Sequence, residues 1–152
     1  MGQSINTSIE INATPEKVRE FFLNYRNQSN WNPFFKVFEK YTNEKVNELH
    51  VGDQLKVVLQ PHGKTNQFTM YPTIASNNSS ELKWKGGNFI FWGIHSFNFE
   101  PIDGGSRTKF VHGEVFGGLL LWLVSWMGIL RDTELSFNDL NAALKEQVES
   151  LD

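Results

Sequence analysis

The fold is decided by residues 107–151, which read RTKFVHGEVFGGLLLWLVSWMGILRDTELSFNDLNAALKEQVESL. In the first part, residues 107–116, the character of the side chains alternates with a period of two, which predicts a β-strand. The side chains that share one face of this strand are Thr108, Phe110, His112, Glu114 and Phe116. After Gly117-Gly118 the spacing becomes helical, and the apolar positions that carry it are Leu130, Phe137, Leu140, Leu144, Val148 and Leu151. The stretch therefore predicts a last strand followed by a long amphipathic helix.

The helical part has two sections that differ in composition. Residues 137–151 have the clear polar and apolar faces of an amphipathic helix. Residues 117–130 contain no charged side chain and include glycines. Gly128 weakens a helix interior, so the sequence leaves open whether one continuous helix joins the two sections.

Upstream of this stretch the sequence predicts a strand, two short helices and further strands. Alternating apolar residues between Ile5 and Ile11 predict a half-buried strand. Thr14-Pro15 predicts a helix start, since threonine caps well and proline suits the first helical position. A second short helix around residues 27–31 is expected to end before Pro33. Period-two patterns and turn residues then predict strands over residues 34–41, 54–60, 66–74, 81–85 and 89–101.

This order predicts an α+β fold with a curved antiparallel sheet of about seven strands wrapped around the long C-terminal helix. A strongly twisted sheet can curl around such a helix and bury its apolar side. Since no repeat or linker divides the chain, we expect a single domain over residues 1–152.

Composition and charge exclude several classes of function. The net charge of −3 comes from interspersed acidic and basic residues, so we expect no nucleic-acid partner. The absence of cysteine excludes disulfides, thiolate metal sites and a cysteine nucleophile, and it agrees with a cytoplasmic location. The first residues do not have the pattern of a secretory signal. Nucleophile elbows, phosphate loops and dinucleotide fingerprints are also missing, so we expect no cofactor.

Motifs along nearly the whole chain resemble the START-like (SRPBCC) superfamily of polyketide cyclase/dehydrase and lipid-transport-like helix-grip proteins. The segments that carry the resemblance are 8–18, 30–34, 51–53, 95–101, 105–110, 112–119 and 140–145. The resemblance implies a helix-grip fold that holds a hydrophobic small molecule between the sheet and the long helix. It does not imply one activity, because members of this superfamily include carriers, sensors, cyclases, aromatases and hydrolases.

The polar residues with the greatest chemical interest are His95, His112 and Glu114. The period of two places them on the aromatic faces of neighbouring strands, so we expect them near the cavity. They are candidate acid–base groups, because burial raises the pKa of a carboxyl and lowers that of a histidine. They could equally orient one polar group of a ligand, or satisfy one another as structural hydrogen-bonding groups. A two-histidine, one-carboxylate metal site has no other support, and we expect no metal.

We expect the pocket wall to come mainly from inward-facing aromatic and apolar side chains. The residues predicted to bind ligand are Phe68, Met70, Trp84, His95, Phe97, Phe110, His112, Glu114, Trp122 and Trp126. Trp122 and Trp126 share a helix face and predict either a pocket gate or plain core packing. The uncharged residues 115–130 are too few to span a membrane, so we expect no stable membrane insertion.

Three functional hypotheses follow from the sequence. The first is non-catalytic binding or transport of a small hydrophobic molecule such as a lipid, polyketide or aromatic compound. The second is an enzyme of the cyclase, dehydratase or hydrolase type that uses His95, His112 and Glu114. The third is an interaction protein that uses the apolar residues 117–130, for example in a weak homodimer.

Overall fold

The computed structural model of the chain describes residues 2–41 and 48–151. Its strands are β1 (Gln3–Ile11), β2 (Phe35–Lys40), β3 (Leu55–Leu59), β4 (Phe68–Met70), β5 (Thr73–Asn77), β6 (Glu81–Gly87), β7 (Trp92–Ile102) and β8 (Arg107–Gly117). Its α-helices are α1 (Pro15–Leu23), α2 (Gln28–Trp31), α3 (Leu121–Trp126) and α4 (Ile129–Glu149).

The strands form two antiparallel sheets that continue into each other. The larger sheet has the order β1-β8-β7-β6-β5, and the smaller has the order β2-β3-β4. In the part of the chain that the structure describes, a bridge between Gln54 and Thr73 joins them. Helix α4 packs along the inner side of β1, and its inward residues Phe137, Leu140, Leu144 and Val148 are fully buried. The predicted α+β fold, a curved antiparallel sheet around a long C-terminal helix, is therefore confirmed.

The first helix begins where the sequence predicts it. The Thr14 side chain accepts a hydrogen bond from the backbone N–H of Lys17, and Pro15 occupies the first turn. Val18 and Phe22 are fully buried on the inner face of α1. The Phe22 ring lies 4.6 Å from the Phe97 ring, centroid to centroid, so α1 packs its apolar stripe directly on the larger sheet.

The predicted strand over residues 66–74 is wrong, because the chain forms two strands there. Pro72 separates β4 from β5, and proline has no N–H to donate to a ladder. The Pro72 carbonyl accepts from Leu55 N at 2.8 Å, and the chain then passes from the smaller sheet to the larger one. The described residues therefore contain eight strands, where the sequence predicts about seven. Similarly, β7 begins at Trp92 rather than at residue 89, because the hairpin loop occupies residues 88–91.

Gly128 interrupts the C-terminal helical segment. Its φ of 77° lies in the left-handed region, where glycine carries no steric penalty, and it separates α3 from α4. The sequence left open whether one continuous helix runs through Gly128, and the structure has two separate helices there. In the described part of the chain, no helix combines the length and the apolar character needed to cross a membrane.

Candidate functional site

A cavity of about 610 Å³ lies between the smaller sheet, the β6–β7 hairpin and the α3–α4 corner. Most of the cavity wall is apolar. The apolar side chains in that wall are Phe34, Leu59, Pro61, Phe68, Met70, Phe91, Trp92, Phe116, Val124, Met127, Ile129 and Leu130.

The cavity wall contains both solvent-exposed and deeply buried side chains. Phe68, Met127 and Ile129 belong both to its wall and to the exposed surface, so they mark the mouth. Lys64 and Asp132 also lie at the mouth, with Lys64 Nζ 3.9 Å from Asp132 Oδ2. The inner end is formed by His95 and Glu114, whose side chains are only 3% and 12% exposed. A ligand would therefore enter past apolar and charged rim residues and reach a buried polar pair.

The two residues at the inner end face each other across paired strands. His95 on β7 is directly opposite Glu114 on β8, so both side chains project from the same face of the sheet. His95 Nδ1 lies 3.7 Å from Glu114 Oε1, which is beyond a direct hydrogen bond. The Glu114 carboxyl occupies the space above Gly93, where a Cβ would overlap with Glu114 Oε2. Glycine at position 93 thus gives the carboxyl its place in the cavity wall.

Behind His95, hydrogen bonds continue into the core. His95 Nε2 lies 2.6 Å from His112 Nε2, and His112 Nδ1 lies 2.9 Å from Asn141 Oδ1. Asn141 Nδ2 donates to Thr7 Oγ1 at 2.9 Å, and Thr7 Oγ1 donates to the His112 carbonyl at 2.7 Å. We call Glu114, His95, His112, Asn141 and Thr7 the polar chain. Its last four members are buried, so these side chains satisfy one another in place of water.

Burial keeps the titratable members of the polar chain uncharged near neutral pH. Loss of solvation lowers the pKa of His95 well below 6.5, and the neighbouring His112 lowers it further. Burial lowers the pKa of His112 to about 3, against a smaller upward effect of its hydrogen bond to Asn141. Burial also raises the pKa of Glu114 to about 8. The His95–Glu114 contact is therefore one between neutral groups and not an ion pair.

The structure divides the ligand-binding residues predicted from sequence into three groups. Phe68, Met70, His95 and Glu114 line the cavity. Trp84, Phe97, Phe110 and His112 are fully buried outside its wall. These four pack against other rings of the core, because the inner sheet face continues beyond the cavity.

Trp122 and Trp126 form the third group, which is neither cavity wall nor core. They are 67% and 81% exposed, respectively, whereas Leu121 of the same helix is buried. Since α3 turns its leucine inward, the two tryptophans point away from the protein beside the cavity mouth.

Sequence reasoning missed Thr7, Asn141 and Gly93. Two of them break a local pattern: Thr7 lies among the inward isoleucines of β1, and Asn141 lies in the apolar stripe of α4 next to Leu140. A polar residue at an inward position is a usable signal, since burial requires a partner. The partners themselves are far apart in sequence, and only the fold brings them together.

A metal centre is not formed by these groups. In residues 2–41 and 48–151, no three His, Asp or Glu side chains are arranged to hold a metal ion. His95 Nε2 and His112 Nε2 lie 2.6 Å apart and use each other as hydrogen-bonding partners.

Comparisons with known proteins agree with the fold. The family model for polyketide cyclase/dehydrase and lipid transport matches residues 2–149. A comparison with curated proteins finds no significant match.

Several solved structures are similar over nearly the whole chain. A START superfamily protein from Mycobacterium smegmatis has a TM-score of 0.76 at 15% identity, covering 98% of this chain and 99% of that chain. The ZhuI aromatase/cyclase from Streptomyces sp. R1128 has a TM-score of 0.72 at 11% identity, covering 98% and 94%. Norcoclaurine synthase from Thalictrum flavum has a TM-score of 0.71 at 11% identity, covering 99% and 88%. At such identities the likeness shows the fold alone.

Proposed function

Because the chain belongs to the polyketide cyclase/dehydrase and lipid transport family, we propose that it binds or carries a small hydrophobic molecule in the cavity and does not transform it. The observation that carries this proposal is the mostly apolar cavity of about 610 Å³ whose wall includes the buried polar pair His95 and Glu114. Cavities of a few hundred cubic ångströms with mostly apolar walls are typical small-molecule sites.

Burial of apolar surface would supply most of the binding free energy. Each square ångström of apolar surface removed from water contributes about 25 cal/mol before the costs of association. The rings of Phe34, Phe91, Trp92 and Phe116 offer flat surfaces to an aromatic or polycyclic molecule. The buried polar pair, His95 and Glu114, would orient the ligand by one polar group.

Binding of a neutral fluorescent probe tests this function. N-phenyl-1-naphthylamine is apolar and uncharged, and its fluorescence rises when it leaves water. We expect Val124→Phe, which fills the cavity from α3, to weaken probe binding at least tenfold. Val115→Phe is the matched control, because Val115 lies exposed on the outer face of β8. Thermal unfolding of both variants separates cavity filling from misfolding.

The proposal fails if Val124→Phe and Val115→Phe bind the probe as the wild type does. A second lining variant, Thr133→Phe, keeps the test decisive if Val124→Phe does not fold. Native mass spectrometry of the purified protein would identify a ligand that copurifies.

A second candidate function is acid–base catalysis by Glu114. It is favoured by the polar chain, which holds a protonated carboxyl at the end of a cavity, as a general acid requires. His95 would contact the substrate beside Glu114, and His112 would act as a positioning residue, since it lies outside the cavity wall. Two similar structures are named as an aromatase/cyclase and a synthase.

The two candidates differ in what happens to the ligand. For a carrier, a copurified or added ligand is recovered with unchanged mass after incubation with the protein. For an enzyme, its mass changes, and Glu114→Gln abolishes the change while binding persists.

A further inference from the structure

We propose that the inner end of the cavity selects a neutral hydroxyl group of the ligand, such as that of a phenol or an alcohol, and discriminates against a carboxylate. This inference rests on the proposed binding function and adds the chemical class of the ligand. It follows from the direction of each hydrogen bond in the polar chain, which can be assigned step by step from its buried end.

The backbone carbonyl oxygen of His112, at the buried end of the polar chain, can only accept hydrogen bonds. The carbonyl oxygen of His112 accepts from Thr7 Oγ1 at 2.7 Å, so the Thr7 hydroxyl proton is committed to it. Asn141 faces the same hydroxyl oxygen at 2.9 Å and must therefore donate to it through Nδ2. The carbonyl oxygen of the Asn141 side chain, Oδ1, is consequently directed toward His112.

The orientation of Asn141 then fixes the tautomer of His112. Oδ1 can only accept, so His112 Nδ1, at 2.9 Å, carries the proton. A neutral imidazole has one N–H, which leaves His112 Nε2 as a bare acceptor. Because the ring is deeply buried and stacks on Phe137 with the centroids 3.9 Å apart, it stays neutral.

The tautomer of His112 in turn fixes that of His95. With a bare Nε2 on His112 only 2.6 Å away, His95 Nε2 must be the donor. His95 is also neutral, so its Nδ1 carries a lone pair. This lone pair faces Glu114, the other polar residue at the inner end. Thr7, 3 hydrogen bonds from His95, thus determines which ring atom His95 presents.

The inner end therefore offers one donor and two acceptors. The donor is the protonated Glu114 carboxyl, and the acceptors are its carbonyl oxygen and His95 Nδ1. A hydroxyl group both donates and accepts, so it can use both kinds of partner. A carboxylate finds lone pairs, a single proton and no cation there, which makes its desolvation costly.

Cations near the cavity do not change this conclusion. Among the lining residues that the structure describes, Lys64 is the cation, and it lies at the mouth beside Asp132. Lys64 is already beside a carboxylate there and is half exposed to water, so it would contribute little to the binding of a second carboxylate at the inner end.

Three naphthalene derivatives of nearly equal size test the proposal at pH 7 by displacement of N-phenyl-1-naphthylamine. 2-Naphthol donates and accepts, 2-methoxynaphthalene only accepts, and 2-naphthoate is a carboxylate. We expect 2-naphthol to bind at least tenfold more tightly than 2-naphthoate and more tightly than the ether. In Glu114→Leu the advantage of 2-naphthol over the ether should fall but not vanish, because His95 Nδ1 still accepts the naphthol proton, whereas Glu114→Gln, which keeps a donor and an acceptor, should retain the full advantage.

The outcomes separate this inference from the function on which it rests. If 2-naphthoate binds as tightly as 2-naphthol, the selectivity is wrong while cavity binding stands. If the probe itself does not bind, both fail.

Imidazole ¹⁵N spectra test the tautomers independently of any ligand. We expect a protonated Nδ1 and bare Nε2 in His112, with the opposite arrangement in His95. A proton on His95 Nδ1 would overturn the assignment.

Discussion

The Nε2 atoms of His95 and His112 lie 2.6 Å apart, and their rings are nearly parallel, with an interplanar angle of 15°. Such a short contact between two ring nitrogens requires one proton between them, since two bare nitrogens or two N–H groups would repel. Burial removes the water that could stabilise a charge on either ring. The pair therefore connects the cavity to the buried Asn141 and Thr7 as a neutral hydrogen-bonded unit.

Thr7→Val tests whether the polar chain contributes to stability. Valine keeps the shape of the side chain but leaves Asn141 Nδ2 and the His112 carbonyl without their partner. An unsatisfied buried polar group costs about 1–3 kcal/mol, so we expect a loss of that size in the free energy of unfolding. Urea denaturation measures it. Thr73→Val is the control, because Thr73 is exposed on β5 and should change stability by less than about 0.5 kcal/mol.

Glu114 should make the protein less stable as the pH rises from neutral. Its pKa is about 8 in the folded protein and 4.5 ordinarily, so between these values the folded state holds a proton that the unfolded state has lost. The free energy of unfolding should fall by about 1.5 kcal/mol between pH 6.5 and 8. Urea denaturation across this range measures the slope, and Glu114→Gln should flatten it. An unchanged slope in the variant would assign the effect to other groups.

The buried histidines should change the free energy of unfolding on the acid side of neutral pH. His95 and His112 have lowered pKa values, so below their ordinary value of 6.5 the unfolded state takes up protons that the folded state does not. Stability should therefore fall as the pH drops below about 6.5, and it should be greatest near that pH. His112→Phe, with a ring of similar shape, is expected to reduce the acid loss.

Gly93→Ala should displace the Glu114 carboxyl without unfolding the protein. The added methyl overlaps with Glu114 Oε2, the end of a flexible side chain that can rotate away. We expect stability to change little and the preference for 2-naphthol over 2-methoxynaphthalene to fall. Gly86→Ala is the matched control: it also narrows the cavity by one methyl, but its nearest neighbour is Met70 Cε at 3.2 Å. Equal losses of preference in both variants would contradict the role of Glu114.

Trp122 and Leu121 are adjacent on α3 but should respond differently to truncation. Leu121 is buried, so Leu121→Ala should destabilise the protein by about 2–4 kcal/mol. Trp122 is exposed, so Trp122→Ala should cost less than about 0.5 kcal/mol and instead alter the rate of probe uptake. Stopped-flow fluorescence measures that rate.

The same variant tests whether α3 is an interaction surface. If Trp122→Ala leaves uptake unchanged but shifts a dimer to monomer in sedimentation velocity, the exposed tryptophans serve self-association. That result would favour the interaction hypothesis for residues 117–130.

The periodicity of the apolar residues predicted most of the fold, because the face of the strand or helix on which a side chain lies determines whether it is buried. Inward positions of β1 and of α4, such as Ile11 and Leu144, are fully buried as the alternation and the helical spacing require. Pro72 was one local exception, since its missing N–H ends one strand pairing, and the chain then passes to another sheet.

The candidate site was less predictable, because it depends on contacts between distant segments. The sequence placed His95 and Glu114 on adjacent strands, and they do line the cavity. It could not separate them from His112, which shares a face with Glu114 but lies behind the wall. Whether an inward side chain faces the cavity or the core depends on how much of the inner sheet face α4 covers. The periodicity of the sequence contains no such information.

The position of a bound probe tests the central claim most directly. Intermolecular NOEs can be measured between N-phenyl-1-naphthylamine and methyl-labelled protein. We expect NOEs to methyl groups of Met70, Val124 and Leu130, which line the cavity. NOEs confined to the exposed methyl groups of Val115 and Leu119 would contradict a cavity-binding function.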